Sequence, residues 1–235
     1  KGKGRKMIAN IFMVGDGLDG LRIALALASF AAAIAYQLIE RQPPSALRTG
    51  LKTASIGLLV PLPLLALGQG PALPLLLLAA AFLFSSAGDL FLAMKGDPRN
   101  FMRGLGAFLV SHLFYIAVMA PLATGPDTLA LKSVSLAVGL AALAVYWSLA
   151  SRLGSMKLPV GAYLAVILVM VLTALAIPEA APILGLGAIL FMFSDSIIAL
   201  DKFRGPIPYR GLLVWTTYYG GQVLMALPLL MLLTK

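Results

Sequence analysis

The 235-residue chain has no cysteine, a single histidine and little charge of either sign, with only 11% of its residues charged. The missing cysteine excludes disulfides, thiol nucleophiles and cysteine-ligated metals, and says nothing about compartment. One histidine without cysteine does not furnish the ligand set of a buried zinc site, so neither a metal nor another cofactor is expected. No Gly-x-Ser-x-Gly elbow is present, which leaves a serine–histidine esterase without its usual frame. Scarcity of charge is the strongest bound. With 60% hydrophobic residues and a mean hydropathy of +0.97, the composition lies far outside the soluble range.

What is present instead is a series of apolar runs near 21–39, 51–67, 71–94, 104–121, 128–150, 158–177, 182–200 and 211–233. Each is roughly 17–24 residues, the length that crosses a bilayer as a helix. The runs lack the alternation of a barrel strand, so the fold class expected is an all-α integral membrane protein with eight transmembrane helices. The second run is the weakest, being interrupted by Pro61 and Pro63. Residues 21–235 form one membrane domain after an N-terminal segment, 1–20. Short loops leave no room for a soluble domain, and Pro43-Pro44 and 121–127 read as turns.

Lysine and arginine set the orientation. The loops after odd-numbered runs carry Arg41, Arg48 and Lys52; Lys95, Arg99 and Arg103; Arg152 and Lys157; and Lys202, Arg204 and Arg210, whereas the loops after runs two, four and six carry only Lys132. By the positive-inside rule the basic loops are cytoplasmic, and a multi-pass protein of the bacterial inner (plasma) membrane is expected. The basic start, Lys1, Lys3, Arg5 and Lys6, argues the other way; Met7 is a candidate natural start, with 1–6 an added remnant. No cleavable signal peptide stands out. The net charge of +9 is thus a topology signal, scattered over loops, and no nucleic-acid partner is expected.

The chain also repeats itself. FLFSSAGDLFLAMKGDPRNFMRGLGAFLVSHLFYIAVMAP (82–121) returns, altered, as ILFMFSDSIIALDKFRGPIPYRGLLVWTTYYGGQVLMALP (189–228). Each copy sets an aspartate inside an apolar run, Asp89 and Asp195, then a basic loop, then Arg-Gly-Leu. Arg103 to Pro121 and Arg210 to Pro228 are both eighteen positions. Four runs per half, about 21–121 and 128–233, make the repeat parallel. A carboxylate in hydrocarbon is costly and marks a functional site by default. Both aspartates are expected roughly 10 Å from the cytoplasmic ends of their helices, and within about 8 Å of each other if they act as an acid–base pair.

Helical spacing supplies neighbours: Ser85, Ser86 and Asp89 on one face, Phe191, Ser194 and Asp195 on its counterpart, then Ser111, His112 and Tyr115, and Tyr218, Tyr219 and Gln222. Together they read as a polar pocket toward the cytoplasmic leaflet. Taken singly, either aspartate could reach the interface or bond a serine; it is the matched pair that favours a site. His112 reads as a hydrogen-bonding partner rather than a catalyst. Gly104, Gly106, Gly220 and Gly221 read as close-packing positions. Arg103, Lys202, Arg204 and Arg210 are topology determinants first and phosphate contacts second.

GDLFLAM (88–94), RGLGAFLVSHLFY (103–115), GAILFMFSDSIIAL (187–200) and TYYGGQ (217–222) resemble the YhhN-like family of multispanning membrane proteins, whose characterised members are lysoplasmalogenases. The likeness covers roughly 80–228, and the first two runs match by hydropathy alone. It implies an eight-helix fold and hydrolysis of the vinyl ether of lysoplasmalogens to a fatty aldehyde and a glycerophospho-alcohol, with a lysophospholipid as the membrane partner. The matching positions are Asp89, His112, Tyr115, Ser194, Asp195, Tyr219 and Gln222. Gly220-Gly221 departs from the bulkier residues expected there, and would widen the pocket.

Vinyl ethers resist bases and hydrolyse in acid, because protonation at carbon gives an oxocarbenium ion that water captures. Paired acids, split by burial and mutual repulsion, supply both a proton donor and a carboxylate. Such a pair titrates as a unit, and spacing alone does not say which aspartate holds the proton. In this reading Asp89 and Asp195 are catalytic. Ser86, His112, Tyr115, Ser194, Tyr219 and Gln222 orient them and the substrate, and Arg103, Lys202 or Arg210 holds the phosphate. The alternative is a proton-coupled transporter of a small amphiphile, since parallel repeats and midplane acids also describe carriers; the polar residues, however, gather in the cytoplasmic half. A retinal protein lacks its deep lysine in a late helix. Oligomeric state is not legible.

Overall fold

The structure, a computed structural model, describes residue 12, residues 14–94 and residues 96–234. Most of the N-terminal segment, including residues 1–6 and Met7, and the loop residue Lys95 lie outside the described residues. The helices are α1 (Asp19–Ile39), α2 (Ala46–Gly57), α3 (Pro61–Leu64), α4 (Ala72–Ala93), α5 (Arg99–Met119), α6 (Leu129–Ala150), α7 (Lys157–Leu175), α8 (Ala181–Arg204) and α9 (Arg210–Leu233). No strand occurs among the described residues.

Seven of these helices, α1 and α4 to α9, are long and apolar enough to cross a membrane. Their outward faces are apolar, with Leu38, Leu129 and Leu158 79%, 80% and 82% exposed, as lipid permits and water does not. The protein is a multi-pass integral membrane protein. The second apolar run differs from the single helix expected of it. It begins earlier, at Ala46, where the Ser45 hydroxyl accepts from the Arg48 backbone N–H at 3.2 Å. It then breaks after Gly57, and Pro61 opens the four-residue α3. Proline lacks an N–H and is tolerated in the first turn of a helix but not in its interior, so Pro61 and Pro63 divide the run into two.

The chain forms two compact units, residues 1–118 with 226–235, and residues 119–225. In the first, α2 is fastened on both sides. Ser29 of α1 donates to the Ser55 carbonyl at 2.5 Å, and Ser86 of α4 donates to the Thr53 carbonyl at 2.9 Å. α4 and α5 approach through glycine: a Cβ on Gly88 would lie 2.6 Å from the Phe108 ring, and one on Gly104 2.7 Å from Leu92. At the start of α1, buried Arg22 bonds Asp16 at 2.5 Å, Asp19 at 3.1 Å and the Leu65 carbonyl beyond α3 at 2.8 Å. The Arg22 guanidinium, with the Leu18 backbone N–H, holds the Asp16 carboxyl well below the usual carboxylate range.

In the second unit α8 and α9 touch backbone to backbone. A Cβ on Gly187 would lie 2.9 Å from the Gly221 carbonyl oxygen, and one on Gly221 2.7 Å from that of Gly187. Gly104 and Gly221 are therefore the close-packing glycines expected. Gly106 and Gly220 face open space. The idea that Gly220-Gly221 widens a pocket fails at Gly221, whose missing side chain is what lets the two helices meet.

Candidate functional site

In the first unit the polar face of α4 is wholly buried: Ser85, Ser86 and Asp89 are at most 6% exposed. Each has a partner on another helix. Ser85 and Ser111 share a hydrogen bond of 2.7 Å, and Ser111 also donates to the Ala81 carbonyl at 2.8 Å. Asp89 meets the Lys52 ammonium at 3.1 Å, both side chains being withdrawn from the surface. His112 and Tyr115 are fully buried beside Ser111 on α5, and the Tyr115 ring packs edge-on against Phe82.

In the second unit the corresponding residues of the sequence echo have other partners. Ser194 donates to the Val214 carbonyl at 3.0 Å, tying α8 to α9. Half-buried Asp195 accepts a hydrogen bond from the phenol of Tyr163 on α7. Both groups line a small, partly open pocket between α6, α7 and α8 whose other walls are largely apolar, among them Val145, Leu149, Ile167 and Met192. Gly161 makes room there for the Tyr146 ring, 3.2 Å from where a Cβ would stand. Tyr218 and Gln222 are buried on α9, and the ring of half-buried Tyr219 stacks on Trp215 at 6.0 Å.

At corresponding positions of the sequence echo the two units make different contacts. Aligning Asp89 with Asp195 and Arg103 with Arg210 sets Ser85 opposite Phe191 and Ser111 opposite Tyr218. Ser85 and Ser111 are hydrogen-bonded, whereas Phe191 and Tyr218 make a T-shaped ring contact with centroids 5.1 Å apart. The helices run on for different lengths past the two aspartates. α4 ends at Ala93, about 6 Å past Asp89, whereas α8 runs to Arg204, about 14 Å past Asp195. Met94 turns extended, while α8 continues until Gly205, whose φ of 129° glycine tolerates.

The basic residues offered for phosphate have nearer partners. Arg103 bonds Asp97 at 3.1 Å and Asn100 at 2.9 Å, and Arg210 pairs with Asp201 at 2.8 Å, so each closes its own loop. Arg99, through its side chain and backbone N–H, helps to keep the Asp97 carboxyl below its usual range. Lys202 is exposed near the end of α8. Two residues of the site were not legible as such. Lys52 reads as one more loop cation, and Tyr163 stands in an apolar run without any polar companion at helical spacing. Among the described residues, no three His, Asp or Glu side chains gather where they could hold a metal ion.

The sequence model of the YhhN family matches residues 47–229, so the likeness reaches back through α2 and includes Lys52. Lysoplasmalogenase TMEM86A of Bos taurus is 36% identical over 154 residues, 61% of either chain. Lysoplasmalogenase TMEM86B of Homo sapiens is 35% identical over 153 residues, 64% of this chain and 62% of that protein. A lysoplasmalogenase of Mycobacterium tuberculosis is 30% identical over 151 residues, 63% of this chain and 58% of that one. The chain thus matches about three fifths of the length of these curated relatives. No solved structure matches it.

Proposed function

The chain belongs to the YhhN family, and from that premise we propose that it is an intramembrane lysoplasmalogenase whose Asp89 and Asp195 act on one vinyl ether. The observation that carries the reading is the unequal company of the two acids. Lys52 compensates the charge of Asp89, which suits it to remain a carboxylate that stabilises a cation and accepts a proton from water. Asp195 stands at an apolar wall, where burial favours the neutral acid, and the Tyr163 phenol, which donates to the carboxylate, can equally accept from the protonated carboxyl, which suits Asp195 to give and retake a proton.

The reaction then balances. Asp195 gives its proton to the vinyl carbon that becomes C2 of the aldehyde. Water adds to the oxocarbenium carbon and gives a proton to Asp89. The hemiacetal collapses as Asp89 returns that proton to the departing glycerol oxygen and Asp195 takes the hemiacetal hydroxyl proton. One water is consumed and both acids are restored. Ser86, His112, Tyr115, Ser194, Tyr219 and Gln222 hold these groups and the substrate in place, a positioning role worth less than proton transfer itself.

We also propose an eighth crossing, formed by α2 and α3 together, in the plasma membrane with the basic loops cytoplasmic. Seven crossings would put the basic segments before and after α4 on opposite faces, against the charge asymmetry. From Ala46 to Leu65 the segment is long enough, about 30 Å if helical throughout, and both its helices pack on α4. The broken backbone is tolerated at depth because it is buried in protein. The test of function is to offer the purified protein in lipid discs a lysoplasmalogen and an acyl lysophospholipid side by side. Fatty aldehyde from the first is expected. Fatty acid from the second, with no aldehyde from the first, would overturn the reading.

A further inference from the structure

One polar group of residues is unused by this mechanism. On α2, Arg48 lies four residues before Lys52, so the two share a face one turn apart, about 6 Å along the axis. Arg48 Nε is buried without a hydrogen-bond partner, as are Thr53 Oγ1 beside Lys52 and Gln37 Oε1 on the facing helix α1. The Arg48 guanidinium lies over the Tyr36 ring at 6.0 Å, which fixes the side chain against α1. No carboxylate among the described residues lies within ion-pair distance of Arg48, in contrast to Arg103 and Arg210. Buried donors and acceptors are normally satisfied, and an unpaired one costs free energy unless a guest completes it.

We propose that Arg48 and Gln37 form the phosphoglycerol-binding end of the substrate site, with the lipid phosphate on Arg48 and the free glycerol hydroxyl on Gln37 Oε1. The assignment rests on the lysoplasmalogenase reading above. It orders the substrate along α2: phosphate at Arg48, ether oxygen one turn further on, beside the Asp89 that Lys52 holds. A glycerol unit bridges about one helical turn, and a guanidinium matches phosphate in charge and in its paired donors. The residue sits on the basic rim, where a lysolipid in the same leaflet carries its head group.

The full-length protein in lipid discs is tested for binding of three probes: a non-hydrolysable alkyl-ether lysophospholipid, the same alkylglycerol without phosphate, and inorganic phosphate. Arg48→Gln is expected to weaken the phospholipid roughly tenfold to a hundredfold, the range of a hydrogen bond to a charged group, and to leave the alkylglycerol unchanged. Arg48→Lys should recover part of the loss, and Arg41→Gln, at an exposed arginine of the same basic loop, should cause little. An equal loss for both lipids would mean a structural role and overturn the proposal, as would no loss at all. Displacement of the lipid by an equal concentration of inorganic phosphate would mean a free-anion site and overturn it too. Should Arg48→Gln not fold, Gln37→Leu is read on the same probes, with a selective loss expected for ligands bearing the glycerol hydroxyl and an unchanged affinity contradicting the assignment. Binding is measured without turnover, so a protein that cleaves no vinyl ether yet discriminates by phosphate through Arg48 refutes the activity and leaves this site standing.

Discussion

The hairpins α4–α5 and α8–α9 are built from one sequence pattern and solve its buried polar groups in opposite ways. In the first, serine meets serine and the aspartate meets an ammonium. In the second, phenylalanine meets tyrosine and the aspartate meets a phenol at an apolar pocket. Glycine keeps the helices close in both, through Gly88 and Gly104 in one and Gly187 and Gly221 in the other. The connection is also alike, with an arginine from Arg-Gly-Leu holding an upstream aspartate, Asp97 in the loop of one and Asp201 in the last turns of α8 in the other. What differs is the partner from outside the hairpin: α2 brings Lys52 and α7 brings Tyr163. The sequence echo therefore supplies two carboxyls, and the elements around each give it a different partner, which is what the proposed acid–base chemistry requires.

The comparison breaks first at the acids themselves. Asp89→Asn and Asp195→Asn should each remove at least about 10²–10⁴-fold of aldehyde release, and His112→Ala should cost less; wild-type rates in either Asn variant would end the two-acid mechanism. Lys52→Met should come next, because it strands a buried carboxylate. A loss of about 3–5 kcal/mol of stability is expected, largely relieved by adding Asp89→Asn, and denaturation of the single and double variants measures it. Gly221→Ala should cost about 1–3 kcal/mol by overpacking against Gly187, while Gly220→Ala should be nearly silent in the same assay. Tyr163→Phe removes one hydrogen bond, about 1 kcal/mol, so it should fold well and lower turnover by less than either aspartate change; a larger loss of stability than Lys52→Met would reverse the contrast drawn between the two hairpins. Smallest is Asp16→Asn. Because the folded carboxyl is held below its ordinary range, its contribution is present above the ordinary carboxylate pKa and fades as pH falls through the lowered folded value. Thermal midpoints of variant and parent should differ near neutrality and converge only in strong acid.

Much of this was readable in the sequence because membrane helices announce themselves by length and apolarity, and because a buried aspartate is rare enough to notice twice. Seven of the eight runs became single helices of spanning length. The break in the other is foreshadowed by Pro61 and Pro63, but its early start at Ala46 is not, since the capping Ser45 among arginines looks like loop. Helical spacing singles out Asp89, Ser86, His112 and Tyr115, and all four are buried. Lys52 was missed because lysine near a membrane surface is normally a topology charge, and only the packing of α2 on α4 turns it inward. Tyr163 was missed because one tyrosine in an apolar helix has no periodic signal at all. The different run of helix beyond each aspartate escaped too, being set by where Met94 and Gly205 end their helices.

The central claim is that Asp195 holds the proton and Asp89 is the carboxylate. Infrared difference spectra of the protein in lipid discs at neutral pH, compared with those of Asp89→Asn and Asp195→Asn, report it directly through the C=O stretch of a protonated carboxyl. The account predicts that this band is present in the parent, survives in Asp89→Asn and disappears in Asp195→Asn. A band that survives in Asp195→Asn and disappears in Asp89→Asn would contradict it.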